Sequence, residues 1–264
     1  MSAPFLYRAW VLASRCLIPF AASAEARKLN AQDVPAARAG EKRGIATQPR
    51  PSGGPLVWVH AASVGESLSV LALITRMGHM LPDAHFLITS GTATSARLVD
   101  QRLPPRSLHQ FAPLDAPGPL KRFLAHWQPD AAIFVESEIW PQMLRRTHAT
   151  GAPMALVNAR MSDKTVEFWE KWPRTARYLF DVFTLIVTQN DAMARNMIRM
   201  HAPADRVSPG VNLKSMAGPL PVDAQALAAA RTALGGRAVW VASSTHEGEE
   251  RSVLDAHKKL LREI

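Results

Sequence analysis

Cysteine is almost absent from this chain, since Cys16 is the single one among 264 residues. One thiol excludes an internal disulfide framework and any cysteine-rich metal site. The spaced pairs typical of zinc sites are missing too, because the sequence contains neither C-x-x-C nor H-E-x-x-H. Several histidines are scattered along the chain, and we interpret each as structural: His60, His79, His85, His109 and His126. The sequence therefore predicts no metal centre.

The glycine patterns of the common nucleotide-binding loops are also missing. No G-x-x-x-x-G-K-[ST] occurs, which argues against a P-loop ATPase, and no G-x-G-x-x-G follows the first predicted strand. That position reads only Ser63-Val64-Gly65-Glu66. An unrelated Rossmann-type enzyme that binds a nucleotide at Ser63–Glu66 stays open as an alternative, without a fingerprint to support it.

A long uninterrupted hydrophobic run is lacking as well. Residues 1–24 are largely apolar, but Arg8 and Arg15 interrupt them, and a spanning helix needs about 20 predominantly apolar residues. Ala21-Ala22-Ser23-Ala24 follow the apolar run, which leaves a cleaved signal peptide open. A basic helix lying on the membrane fits at least as well. Because residues 1–50 hold eight basic residues against three acidic ones, we predict a membrane-associating segment that contacts anionic headgroups.

Basic residues are in excess over the whole chain, with 31 Lys and Arg against 22 Asp and Glu and a net charge of +9. This excess points to an acidic partner: nucleic acid, an anionic membrane surface or a phosphorylated substrate. Charge that serves only solubility is the alternative. The length and the 47% hydrophobic content allow one large domain or two smaller ones.

Alternating strands and helices indicate an α/β fold. The apolar run Leu56–Val59 is followed by small residues and then by a helical pattern from Leu68 to Met77, which is the first half of a βαβ unit. Further predicted strands are His85–Thr89, Ser107–Phe111, Ala131–Val135, Met154–Val157 and Thr184–Thr188. Strands separated by helices of this length predict a parallel sheet covered on both faces, a Rossmann-like lobe over residues 51–210.

Prolines and glycines are concentrated over residues 209–222, and we interpret 211–222 as a domain linker. The α/β pattern then starts again over 223–264, with a predicted helix at Ala224–Leu234 and a strand at Ala238–Ala242. One strand and two helices cannot complete a domain of this class. We therefore expect an incomplete second Rossmann-like lobe.

Acidic residues follow two of the predicted strands. Glu66 comes after the first strand, and Glu136 and Glu138 follow Ala131–Val135. In a doubly wound sheet the carboxyl ends of the strands face one cleft, where two carboxylates can serve as a general base beside a second acidic group. Lys214, in the linker, could place a cation that stabilises a phosphate leaving group.

Each of these residues also has a plainer interpretation. Glu66 suits the first turn of a helix because of the helix dipole. Lys214 could be a solvated linker lysine. Glu136 and Glu138 could form ion pairs with arginines, of which Arg145, Arg146 and Arg160 are the nearest in the sequence.

A series of motifs resembles the 3-deoxy-D-manno-octulosonic acid (Kdo) transferases. The motifs occur in the family's order: WVHAASVGES within Leu56–Ser67, FVESEIWP at Phe134–Pro141, VNARMS at Val157–Ser162, Asn212-Leu213-Lys214, and ASSTHEGEE at Ala242–Glu250. Thr89–Thr94 and Pro113-Leu114-Asp115 are similar as well. Several motifs in the right order make the resemblance specific.

The resemblance implies an inverting glycosyltransferase of the two-lobed GT-B type. It implies transfer of Kdo from CMP-Kdo to a lipid A precursor (lipid IVA), in lipopolysaccharide core biosynthesis at the cytoplasmic face of the inner membrane. The acidic partner is then a phosphorylated glycolipid and an anionic membrane surface rather than nucleic acid. CMP-Kdo is the donor substrate, and no cofactor is implied.

Residue roles also follow from the resemblance. Glu66 would be the general base, and Glu136 and Lys214 would stabilise the transition state. The matching motifs mark further residues as candidates for substrate binding: Ser63, Gly65, Glu138, Asn158, Arg160, Ser244, Thr245, His246 and Glu247.

Two features depart from the family pattern. The family usually has Gly-Asn-Leu-Lys or Gly-Ser-Leu-Lys, whereas Val211 precedes Asn212 here and Gly210 is displaced by one residue. The family's later donor-binding motifs are also missing, so the chain is expected to be either a fragment or a truncated product. The alternative to an enzyme is therefore a non-catalytic module that binds an acidic glycolipid or an anionic membrane surface.

Overall fold

The computed structural model describes residues 2–216 and 222–263. The chain divides into two compact units, Met1–Ala217 and Gly218–Ile264. The first unit contains the sheet, and the described part of the second contains two helices.

A seven-stranded parallel sheet forms the centre of the first unit. Its strands are β1 (Leu56–His60), β2 (His85–Ser90), β3 (Ser107–Phe111), β4 (Ala131–Val135), β5 (Met154–Ala159), β6 (Leu185–Thr188) and β7 (Val207–Pro209). The strand order is β3-β2-β1-β4-β5-β6-β7. The chain winds outward from β1 in one direction and from β4 in the other, so the topological switch point lies between β1 and β4. The predicted doubly wound α/β fold is thus confirmed.

Helices connect the strands. They are α1 (Phe5–Asn30), α2 (Ala36–Ala39), α3 (Val64–Met80), α4 (Ala93–Asp100), α5 (Pro117–Trp127), α6 (Pro141–His148), α7 (Asp163–Glu170), α8 (Pro173–Phe180) and α9 (Asp191–Arg199), with α10 (Ala224–Leu234) and α11 (Glu249–Glu263) in the second unit. Short 3-10 segments cover Gly40–Arg43, Ala204–Arg206 and Leu213–Met216. Thr92 and Asn190 cap α4 and α9 through their side-chain oxygens, which are of the types preferred at that position.

Each face of the sheet has its own apolar core, because successive residues of a strand point to opposite faces. Trp58 packs on one face with aromatic side chains such as Phe123 and Phe134. Val57 and Val59 point to the other face and pack with residues of α3. All five residues of β1 are buried, as expected for a central parallel strand.

The N-terminal segment is one helix of 26 residues, α1, which packs against other helices of the first unit. The Trp10 indole donates a hydrogen bond to Asp115 Oδ2 at 2.6 Å, and the Gln142 amide donates to the Ser14 hydroxyl at 2.6 Å. The opposite face is exposed and carries large apolar side chains, namely Phe5, Leu12, Leu17 and Phe20. By length and composition α1 could cross a membrane, but the described fold uses its inner face for packing.

One detail near the end of the chain differs from the sequence prediction, and the linker prediction is described only in part. Ala238–Ala242 is not a strand, because a strand needs a hydrogen-bonded neighbour and residues 222–263 contain only α10 and α11. The predicted linker over 211–222 begins just after β7, and its described part contains the 3-10 segment Leu213–Met216. The rest of that linker prediction, over 217–221, lies outside the described residues.

Gly44 should be intolerant of a side chain. Its φ is +77°, and a Cβ there would lie 2.0 Å from the backbone oxygen of Pro119 at the start of α5. Gly44→Ala should therefore lower the free energy of unfolding by at least about 2 kcal/mol. Chemical denaturation followed by tryptophan fluorescence measures this loss.

Two glycines nearby serve as matched controls. A Cβ on Gly40 meets nothing within 4 Å, and Gly53 combines open space with a φ of +89°. Gly40→Ala should be neutral or stabilising, while Gly53→Ala reports the backbone strain alone. Equal stability of Gly44→Ala and Gly40→Ala would contradict the predicted clash.

Candidate active site

The acidic residues singled out in the sequence meet at the switch point of the sheet. Glu66 lies in the first turn of α3, directly after β1, and Glu136 is the first residue after β4. Strands β1 and β4 are hydrogen-bonded neighbours. Because the carboxyl ends of parallel strands meet at one edge, both side chains face the crevice where ligands bind in folds of this type.

Glu66 completes a capping box at the start of α3. The Ser63 hydroxyl accepts a hydrogen bond from the Glu66 backbone N–H at 3.3 Å. Glu66 Oε2 in turn accepts from the backbone N–H groups of Ser63 at 3.3 Å and Ala62 at 2.9 Å. Glu66 therefore stabilises the start of α3, as its plainer interpretation predicts. Among the described residues, no hydrogen bond reaches Oε1, so this oxygen is available for a proton.

The carboxyl group of Glu66 has a pKa above its usual value. Partial burial is the main cause, and the negative charge of Glu138 adds to it. The hydrogen bonds from Ser63 act in the opposite direction, and Glu136 contributes a smaller increase. A carboxylate with a raised pKa accepts a proton more readily, which is the property that a general base requires.

Glu136 forms an ion pair with Lys214. Lys214 Nζ lies 2.9 Å from Glu136 Oε1, and the Glu136 side chain is nearly buried whereas that of Lys214 is 45% exposed. Gly65, at the start of α3, leaves room for the lysine, since a Cβ there would lie 3.8 Å from Lys214 Nζ. Lys214 therefore reaches the site although Val211 replaces the glycine of the family pattern.

Asn158 connects the ends of two strands with the segment that carries Lys214. Its side-chain N–H donates to Glu136 Oε1 at 3.2 Å, and its Oδ1 accepts from the Leu213 backbone N–H at 3.1 Å. Both Asn158 and Glu136 have left-handed backbones, with φ of 54° and 53°. Non-glycine residues at such angles are uncommon and concentrate at functional sites.

A buried hydrogen-bonded chain fixes Glu138 beside these residues. The Trp58 indole donates to Thr89 Oγ1 at 2.8 Å, and Thr89 Oγ1 lies 3.0 Å from His60 Nδ1. His60 Nε2 lies 3.0 Å from Glu138 Oε2. The Thr89 hydroxyl can donate to Nδ1, which leaves Nε2–H to donate to the carboxylate.

Glu138 has a pKa below its usual value. Burial alone would raise this pKa, but the hydrogen bond from His60, the electrostatic attraction of its N–H group and the hydrogen bond from the Trp140 indole together outweigh it. Glu138 therefore stays ionised and supplies the negative charge that raises the pKa of Glu66. His60, interpreted above as structural, lies at the end of β1, and its contact with Glu138 follows only once β4 is known to be the neighbour of β1.

The interpretation of Glu136 and Glu138 as partners of nearby arginines is wrong. Glu136 pairs with Lys214, and Glu138 contacts His60. Arg145 instead packs its guanidinium 4.0 Å from the centre of the Tyr178 ring. Arg160 lies exposed just beyond β5, so it is not among the residues brought together here.

The remaining candidates lie in two places. Ser63 and Gly65 form the start of α3, next to Glu66. Ser244, Thr245, His246 and Glu247 lie in the second unit, in the loop before α11. Their role stays a prediction.

A cavity of about 360 Å³ opens beside this cluster, between α1 and the ends of the strands. His60, Asp115, Trp140 and Lys42 line part of it. Lys42 Nζ donates to the Gly91 backbone oxygen at 2.9 Å, and burial lowers the pKa of Lys42 to about 8. The lining is mainly apolar, and its charged or aromatic members are Glu25, Lys42, His60, Asp115 and Trp140. A concave apolar surface with a few polar groups is typical of a small-molecule site.

These features define a Rossmann-type α/β lobe with a carboxylate and lysine site at its topological switch point. The sequence model of the family described as 3-deoxy-D-manno-octulosonic-acid transferase (kdotransferase) matches residues 37–217. The chain therefore belongs to the Kdo transferase family.

Curated relatives agree with this assignment. The chain is 36% identical over 205 residues to the 3-deoxy-D-manno-octulosonic acid transferase of Rickettsia felis, covering 78% of this chain and 44% of the relative. It is 33% identical over 227 residues to a probable mitochondrial 3-deoxy-D-manno-octulosonic acid transferase of Arabidopsis thaliana, covering 84% and 50%. The chain spans about half the length of the curated relatives it matches.

Among solved structures, a glycosyltransferase from Rickettsia africae is a distant match. It has a TM-score of 0.47 and 9% sequence identity, over 71% of this chain and 51% of that one.

The charge of Glu138 should set the titration of Glu66. Glu138→Gln removes a nearby negative charge, so the pKa of Glu66 should fall towards its ordinary value. Carboxyl ¹³C NMR titration of this chain with labelled glutamate measures the pKa directly. Glu167→Gln, at an exposed position on α7, is the matched control and should leave the Glu66 titration unchanged. An equal pKa in Glu138→Gln and the unsubstituted chain would show that the two carboxylates are not coupled.

Proposed function

We propose that this chain is the acceptor-binding part of an inverting glycosyltransferase that transfers Kdo from CMP-Kdo to a lipid A precursor, lipid IVA. The observation that carries the proposal is the Glu66 carboxylate at the switch point, with a raised pKa and Oε1 not hydrogen-bonded by the described residues. Membership of the Kdo transferase family supports the reaction class.

In the proposed reaction Glu66 Oε1 accepts the proton of the acceptor hydroxyl. The acceptor oxygen then bonds to the anomeric carbon of Kdo, and the bond between that carbon and the CMP phosphate oxygen breaks. CMP leaves with the bonding electron pair. Because this is one displacement, the configuration at the anomeric carbon inverts.

Glu136 and Lys214 would act together in this step. The ammonium group of Lys214 is partly exposed and directed to the same edge as Glu66, where it can stabilise negative charge that develops on the leaving phosphate. Glu136 holds the lysine through a 2.9 Å ion pair, so we assign it a positioning role. The hydrogen bonds of Asn158 support this arrangement.

The donor would be held mainly by a second lobe in the GT-B arrangement. Ser244, Thr245, His246 and Glu247 belong to the family motif that we assign to this lobe. CMP-Kdo is the donor substrate in this proposal, and the reaction needs no metal cofactor.

Glu66→Gln should separate the capping role of this residue from its role as a base. Glutamine retains an oxygen that can accept the backbone N–H groups of Ala62 and Ser63, but it does not take up a proton. The variant should keep its stability and lose at least about 100-fold in transfer rate. The assay measures Kdo transfer from CMP-Kdo to lipid IVA, using this chain and a chimera that appends the C-terminal half of the Rickettsia felis relative.

Glu66→Ala is the control for the cap, since it removes both functions and should also lower stability by about 1 kcal/mol. Near-normal turnover of the Glu66→Gln chimera would remove Glu66 from the role of base. A chimera that binds lipid IVA but transfers nothing, even with Glu66 present, would favour the alternative of a non-catalytic glycolipid-binding module.

The same proposal locates the protein at the cytoplasmic face of the inner membrane. Support comes from α1, whose inner face packs on the sheet unit while Leu12 and Phe20 are 65% and 75% exposed on its outer face. The exposed side of α1 also carries Arg8 and Arg15, and cations beside apolar side chains suit the surface of an anionic bilayer. Deleting α1 would also remove the contacts that its inner face makes with the rest of the unit. Substitutions on its outer face therefore test membrane binding more directly.

Leu12→Gln combined with Phe20→Gln should weaken binding to vesicles by about tenfold or more, because both side chains would otherwise enter the apolar region. Co-sedimentation with vesicles of phosphatidylglycerol and phosphatidylcholine measures the partition coefficient. Leu81→Gln with Phe168→Gln is the matched control, since these side chains are each 47% exposed elsewhere on the unit. Equal binding of both double variants would argue against α1 as the contact with the membrane.

A further inference from the structure

A second cavity, of about 470 Å³, lies on the other flank of α1, away from the cavity beside His60. Its walls come from α1, from the end of the 3-10 segment Gly40–Arg43 and from the first turns of α5. Each of these three elements contributes one arginine to the lining: Arg15, Arg43 and Arg122. None of the residues described so far as part of the candidate active site lines this cavity.

The three guanidinium groups form no ion pair with any carboxylate of the described residues, although ion pairs are present elsewhere in the unit. Arg122 Nε donates to the Arg43 backbone oxygen at 2.8 Å. This bond links two walls of the cavity and leaves the terminal nitrogens of Arg122 for a ligand. Three uncompensated positive charges around one concave surface favour an anion.

The N-terminal end of α5 adds to the positive potential in the cavity. Its first turn contains no acidic residue, and no side chain caps it. Pro117 and Pro119 have no backbone N–H, so Gly118 supplies the one donor among the first three residues, and the helix start adds a modest positive potential. The Arg122 guanidinium folds back over this turn, where a Cβ on Gly118 would lie 3.7 Å from Nη1. The start of α5 and the Arg122 guanidinium thus contribute positive potential to the same part of the cavity.

Arginine is the residue best suited to bind phosphate, because its planar group donates two parallel hydrogen bonds to adjacent oxygens. Three such groups, carried by three separate elements, can supply donors for all three terminal oxygens of a phosphomonoester, whereas a diester has only two such oxygens. A phosphomonoester is therefore the ligand that uses this lining most fully.

The surroundings of the cavity indicate what carries that phosphate. Pro19, on the cavity wall, adjoins the outer face of α1, where Phe20 and Leu12 are exposed. A ligand whose phosphate occupies the cavity would place an attached apolar group beside these side chains. We propose that this arginine cavity is a binding site for the phosphate headgroup of a bilayer lipid, with preference for a phosphomonoester.

This inference rests on the membrane-surface location proposed above. One experiment distinguishes failure of the proposed arginine site from failure of the proposed location. Binding of this 264-residue chain is measured with phosphatidylcholine vesicles that contain either phosphatidic acid or phosphatidylglycerol, at matched surface potential and physiological salt. The unsubstituted chain should bind the phosphatidic acid vesicles about tenfold more tightly. Arg15→Gln, Arg43→Gln and Arg122→Gln combined should abolish this preference.

A second triple variant controls for net charge. Arg97→Gln, Arg102→Gln and Arg195→Gln remove the same charge from exposed positions outside the cavity, and should retain the preference for phosphatidic acid. Thermal unfolding verifies that both variants are folded. Binding of the unsubstituted chain to neither anionic vesicle would overturn the location and the site together.

Three other outcomes would overturn the site alone. One is binding to both vesicles without a preference. Another is equal loss of the preference in the two triple variants. The third is complete displacement from phosphatidic acid vesicles by millimolar inorganic phosphate, which would assign the cavity to free phosphate rather than to a lipid.

Discussion

The side-chain amide of Asn158 is the interaction on which the arrangement of the site depends. It binds the Glu136 carboxylate with one end and the Leu213 backbone with the other. The ends of β4 and β5 are thereby tied to the segment that delivers Lys214. A loop lysine without this tie would sample many conformations, because a long side chain loses considerable entropy when it is held in one place. One buried amide thus converts a mobile cation into a fixed one.

The two carboxylates next to that amide show how one sheet edge can hold like charges in different states. Glu138 is deeper and has His60 and Trp140 as donors, so it keeps its charge. Glu66 is nearer to solvent and depends on backbone N–H groups at a helix start. The shift in its pKa has burial as its main cause and the charge of its neighbour as the second. The pair illustrates that the surroundings of a carboxyl group, rather than its chemical type, determine whether it acts as a base.

Much of the fold could be predicted from the sequence, because central parallel strands are continuous apolar runs such as Ala131–Val135. The helices α7 and α8 have only eight residues each, which is shorter than the stretch over which a periodic pattern identifies a helix, and β7 has only three residues. Ala238–Ala242 has the composition of a strand, but strand formation depends on a neighbour that no local pattern reveals. At the site, positions after strands could be predicted, whereas the partners of Glu136 and Glu138 could not, since Lys214 and His60 are distant in sequence.

The left-handed backbones of Glu136 and Asn158 have a consequence for protein engineering. Glycine adopts such angles without the strain that other residues incur, which amounts to about 1 kcal/mol or more per position. Replacing either residue with glycine would relieve that strain but would also remove the buried hydrogen bonds and the ion pair that it makes. The two positions therefore keep a strained backbone because their side chains hold the lysine, and a redesign of this lobe should leave both of them fixed.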